Sequence, residues 1–184
     1  MPLVDPTASP TCTMRRVVVA GTSGSGKTTL AAELGRRLGL PHTEIDGLFH
    51  GPNWEPRPTF FAAVGELAAQ PTWVTEWQYA EARPILAAAA DTMVWLDLSR
   101  RVVMWRVVRR TVLRRLHRTE LWNGNREQPL RTVFADCDHI VRWAWRTHHR
   151  NREAVLDVVE LYPELVVVRL SSARAVRSWL DRFA

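Results

Sequence analysis

The strongest pattern in the chain is a short unbroken apolar run. Val17, Val18, Val19 and Ala20 are mostly β-branched, lack the alternation of a half-exposed strand, and end at a glycine-rich stretch. That combination predicts a strand buried on both faces of a parallel sheet. Leu30, Leu34 and Leu38 then recur at the four-residue interval of a helix over 27–38, with Gly39 in the stop position.

The alternation of strand and helix continues along the chain. His42 to Ile45 predicts a second strand, and Phe60, Val64 and Leu67 give a helix over 59–69 its apolar stripe. Strands at Thr72 to Glu76 and Thr92 to Leu96 flank an alanine-rich helix from Ala82 to Ala90, with Pro84 near its start. A long helix is expected after Asp97 as far as Leu116, with Trp105, Val108, Val112 and Leu116 lining one side. Residues 117–130 interrupt it, Arg131 to Leu156 is helical again, Glu164 to Leu170 is a valine-rich strand, and Ser171 to Phe183 closes with a helix. No repeat or low-complexity linker divides this series, so residues 15–184 are expected to form one three-layer α/β/α domain around a mainly parallel sheet.

Composition narrows the picture. With 46% hydrophobic and 24% charged residues over 184 positions, a wholly disordered chain is excluded. Nine tryptophans imply a large aromatic core or an aromatic-lined cleft. The net charge of +6 rests mainly on arginine, which suits phosphate-bearing partners, either nucleotides or nucleic acid. Cys12 and Cys137 are the only cysteines, too few for a disulfide framework or a cysteine zinc site, and they fit a reducing cytoplasm. Residues 1–14 hold three prolines, with neither a basic start nor an apolar stretch long enough for a signal peptide, and read as a flexible tail. No run of about 18 apolar residues predicts a membrane span.

Candidate chemistry begins where the first strand meets the first helix. Gly21, Thr22, Ser23, Gly24, Ser25, Gly26, Lys27 and Thr28 match G-x-x-x-x-G-K-[ST] in full, and Thr29 follows in the first turn of the helix. The glycines let the backbone curl until successive N–H groups face one anion, and the helix start adds its positive end. Lys27 is expected on the β and γ phosphates of ATP, and Thr28 on Mg2+. Asp46, after the second predicted strand, is placed to orient or deprotonate an acceptor hydroxyl, or else caps the next turn. Glu76, at the end of the third, either holds magnesium through water or forms a strand-end ion pair. Asp97 is expected to cap the long helix. Phe49, Trp54, Trp77 and Tyr79, with Asp46, would enclose a ring-bearing acceptor, although core aromatics produce the same pattern.

Several longer segments carry a resemblance. Ile45-Asp46-Gly47-Leu48-Phe49-His50-Gly51-Pro52-Asn53-Trp54 resembles the D-x-L/I…W signature of the adenylate kinase-like group labelled topology modulation proteins (FlaR-like). Trp73-Val74-Thr75-Glu76-Trp77-Gln78-Tyr79 is similar to that group's W-V-I-D-G-N-Y, with Glu76 in the place of aspartate. Val94-Trp95-Leu96-Asp97-Leu98, the arginine-rich helix behind it, and Arg142-Trp143-Ala144-Trp145-Arg146 extend the resemblance over nearly the whole chain. The D-G-F-P-R segment of true adenylate kinases is missing. The resemblance implies a nucleotide kinase-like fold with five strands in the order 2-3-1-4-5, and arginines bracketing a short lid. Arg106 and Arg110 resemble the first lid set, Arg142 and Arg146 the second, and residues 117–130 with Arg126 the lid.

These readings converge on an ATP- and Mg2+-dependent phosphotransferase acting on a small acceptor, such as a nucleoside, nucleotide or related metabolite. The alternative is a nucleic-acid-binding NTPase or regulator, for which the eight arginines between Arg100 and Arg118 would form a basic face.

Overall fold

The computed structural model describes residues 3–4, 14–116 and 140–183, with side chains over 14–113 and 145–183. Five parallel strands form one sheet: β1 (Leu3–Val4), β2 (Arg16–Gly21), β3 (Trp73–Glu76), β4 (Thr92–Leu96) and β5 (Val166–Leu170), in the order β1-β5-β4-β2-β3. The helices are α1 (Lys27–Leu38), α2 (Ile45–Phe49), α3 (Phe60–Ala69), α4 (Ala82–Ala89), α5 (Arg100–Leu116), α6 (Ile140–Leu161) and α7 (Ala173–Leu180). β2 is central, pairing Val19 with Glu76 of β3 and Gly21 with Leu96 of β4.

Strand alternation sorts the core into two layers. Val18, Ala20, Trp73, Met93, Trp95 and Val167 pack with residues of α3, α4 and α6. Val17, Val19, Val74, Val94, Leu96 and Val168 pack with residues of α1, α5 and α7 on the other side. Helices on both faces explain why every residue from Val17 to Ala20 is buried.

Four of the expected strands form in the expected relative order, but the second does not. At 42–45 only His42 bridges to Val74, flanked by hydrogen bonds from the Val74 N–H to Pro41 O and from the Thr43 N–H to Val74 O. Side chains of β3 then replace the ladder. Thr75 Oγ1 donates to Thr43 O at 2.7 Å and Glu76 Oε2 accepts the Ile45 N–H at 3.0 Å, which releases the chain into α2. On the opposite edge Leu3–Val4, within the segment read as a tail, lies parallel to β5.

The inward face of α5 also differs from the expected one. Val103, Val107 and Thr111 are buried, whereas Trp105 is 63% exposed and Val108 44%. The helix lies against the glycine-rich loop, and a Cβ added to Gly24 would stand 2.2 Å from Val107 Cγ2. Only a thin side chain fits that approach, so valine, not tryptophan, faces inward. Among the described residues no helix is long and apolar enough to cross a membrane.

Candidate active site

The loop between β2 and α1 is held by its own backbone. The Ser25 N–H donates to Thr22 O at 3.0 Å, and Gly24 and Gly26 take φ of 82° and 101°, a region that side chains disfavour. Gly26 precedes α1 without a side-chain cap, and the first turn holds no acid. The amides at the helix start are thus left to an external acceptor, and the helix end favours an anion.

Lys27 is 9% exposed and reaches back to Thr22 O at 3.4 Å. Burial pushes its pKa down to about 8, against the opposing charges of Asp46 and Glu76, while Arg110 and Arg83 lower it further. Those charges identify what surrounds the loop. Arg106, one position before Val107, donates from Nη1 to Ser25 O at 2.8 Å, so α5 docks on the loop through both residues. The structure therefore brings Arg106 to the glycine-rich loop, and the charge of Arg110 is felt at Lys27. Residues 117–130 with Arg126, and the Arg142 side chain, lie outside the described residues, and Arg146 is exposed on α6.

Asp46 sits in the first turn of α2. Its Oδ1 accepts from Gln78 Nε2 at 2.6 Å and Tyr79 Oη at 2.7 Å, while Oδ2 has no partner among the described residues. Tyr79 adopts φ 61°, and its ring stacks on Phe49 with centroids 4.0 Å apart. Burial first, then the Asp46 charge, raises the tyrosine pKa, which keeps its hydroxyl a donor. Trp54 meets the His50 ring edge-on at 4.9 Å. Trp77 is a core residue instead of a pocket wall: it is buried, and Arg83 lies over its ring.

Both oxygens of Glu76 are engaged, Oε1 with His42 Nε2 at 3.3 Å and Oε2 with the Ile45 N–H at 3.0 Å. Burial raises its pKa, but hydrogen bonds from His42 and Ile45 outweigh that and leave it below the ordinary value. Asp97 does not cap α5; its carboxylate pairs with Arg169 and Arg152. Among the described residues no group of three or more His, Cys, Asp or Glu forms a metal cage. Thr28 and Glu76 remain as donors for a cation that brings its own phosphate ligands, the usual arrangement for magnesium.

Sequence reasoning missed Gln78, His42 and Arg83. Gln78 lay inside a quoted motif, and its contact with Asp46 spans 32 positions. Arg83 stands in an alanine-rich helix with no motif to mark it.

No family model and no curated protein sequence matches the chain. Among solved structures it is similar to shikimate kinase from Acinetobacter baumannii in complex with shikimate, at 14% identity over 92% of this chain and 90% of that chain, TM-score 0.56. It is also similar to an unliganded sugar kinase from Janibacter sp. HTCC2649, at 20% identity over 92% and 91% of the two chains, TM-score 0.53. The chain shares its fold with these kinases.

Proposed function

We propose that the protein is an ATP-dependent kinase that transfers the γ-phosphoryl group to a hydroxyl of a small metabolite, in the manner of the adenylate kinase-like group its motifs resemble. The observation that carries this reading is the convergence of Lys27 with Asp46, Glu76 and Arg110 beside an uncapped helix start. A glycine turn of purely structural use has no need of a buried lysine in the field of two carboxylates.

Loop amides from Gly21 to Thr29 and the Lys27 ammonium bind the polyphosphate. Arg106 and Arg110 neutralise charge on the transferring group, a job in which positioning and electrostatics supply most of the rate. Thr28, and Glu76 through water, would hold magnesium, which would offset further phosphate charge. Asp46, turned by Gln78 and Tyr79, accepts the acceptor's proton at Oδ2. Phe49, Trp54 and Tyr79 flank the place of the acceptor.

Three arginines of the basic segment turn to separate partners within the fold, which favours the kinase reading over the nucleic-acid one. Arg106 turns to the loop, Arg100 lies over Trp145 at 4.8 Å and Arg109 over Trp105 at 5.6 Å. The test is a mass-spectrometric screen of nucleosides, nucleotides and hydroxylated metabolites for gain of one phosphate. Turnover that persists in K27A, or ATP consumption that only long nucleic acid elicits, would overturn the assignment.

A further inference from the structure

Arg83, in the first turn of α4, fits none of the roles above. Its guanidinium carbon stands 4.7 Å from the Trp77 ring centroid, and Nη2 donates to Asn151 Oδ1 at 2.7 Å. Nε is buried without a partner. No carboxylate pairs with it among the described residues, whereas Arg36, Arg152 and Arg169 all have one. Burial lowers its pKa. A cation partly withdrawn from water, with a buried Nε lacking a partner and only a neutral amide and an aromatic face for company, is poorly compensated, and a fold tolerates it where an anion arrives with a ligand.

The backbone ties this cation to the acceptor side of the site. Tyr79 donates its hydroxyl to Asp46, and its carbonyl accepts the N–H groups of Ala82 and Arg83 at 3.1 and 3.0 Å. Trp77 Nε1 donates to Arg83 O at 3.0 Å. The segment that orients Asp46 thus also fixes Arg83. At Lys27 the charge of Arg83 is felt less than that of Arg110.

We propose that Arg83 binds an anionic group, carboxylate or phosphate, on the phosphoryl acceptor, which makes the acceptor a hydroxylated anion and not a neutral sugar or nucleoside. The inference rests on the kinase reading, and the experiment separates the two. The full-length protein, saturated with magnesium and a non-hydrolysable ATP analogue, is titrated with matched pairs: gluconate against glucose for the carboxylate arm, nucleoside 5′-monophosphates against nucleosides for the phosphate arm. Binding is read by thermal shift and calorimetry, and turnover is measured separately with ATP.

At least one anion should bind while its neutral partner does not. R83Q should weaken that anion about 10- to 100-fold, the worth of a charge-assisted hydrogen bond, while nucleotide affinity stays unchanged and reports an intact fold. N151D, which sets a carboxylate against Nη2, should weaken the anion similarly while stabilising the ligand-free protein. The proposal fails if no anion binds, if neutral partners bind equally well, or if both variants keep the wild-type response. Anion binding that depends on Arg83 without any turnover would instead sink the kinase reading and leave the anion site standing.

Discussion

Lys27 is the only lysine in the chain, so its protonation can be followed without interference from others. Burial holds its pKa at about 8 against a reference of 10.5. Between those values the unfolded chain binds a proton that the folded protein has released, so ligand-free stability rises with pH across that window. Below pH 8 the fold carries the full cost of a buried ammonium, about 3 kcal/mol for a drop of this size. Under the proposed function, nucleotide phosphates restore the charge. At pH 8 about half of the molecules must take up a proton on binding MgATP, at pH 9 about nine in ten, and at pH 7 about one in ten. Affinity should then fall roughly tenfold per pH unit above 8. Titration calorimetry in buffers of different ionisation enthalpy measures the uptake, and 13C NMR of the reductively methylated protein reads Lys27 directly. K27M should abolish the uptake and stabilise the ligand-free protein at pH 7. Buffer-independent binding heat at pH 9, or uptake that persists in K27M, would refute the reasoning.

D46N should lower turnover by about two to four orders of magnitude while MgATP affinity, measured by equilibrium titration, stays within a few-fold. Y79F removes one donor from Asp46 Oδ1 and should cost about tenfold in kcat, with nucleotide affinity unchanged. G24A must place a Cβ 2.2 Å from Val107 Cγ2 at φ 82°, and should destabilise the fold by about 2–4 kcal/mol in urea denaturation. The double variant G24A/V107A should recover the steric part of that loss. Glu76 has a folded pKa below its reference, so its contribution is present above about pH 4.5 and lost as pH falls through the folded value. Acid titration of E76Q should show a flatter stability profile than that of the wild type.

The glycine-rich loop between β2 and α1 was legible because its key positions answer separate demands, and the residues meeting those demands are adjacent in sequence. Gly24 and Gly26 need the left-handed region, Lys27 supplies charge, and a valine-rich strand must precede them. Asp46 and Tyr79 were legible through motifs, but the bond joining them spans 33 positions and no local pattern encodes it. Helix α5 shows why periodicity failed elsewhere. Trp105, Val108 and Val112 form one apolar stripe at helical spacing, and Val103 and Val107 belong to another, so spacing alone permits two rotations of the helix. Tertiary geometry decides between them: the loop at Gly24 admits an isopropyl group and not an indole, and Arg106 then meets Ser25 O. The expected second strand was lost to a comparable cause. Thr75 and Glu76 project hydrogen-bonding side chains at the edge of β3, and these capture 43–45 before a second backbone ladder extends beyond His42. What the chain gives up in strand it gains in placement. Ile45, held by the Glu76 carboxylate, lies one residue from Asp46, whose carboxylate would meet the acceptor, so the same edge that shortens the sheet also sets the position of Asp46.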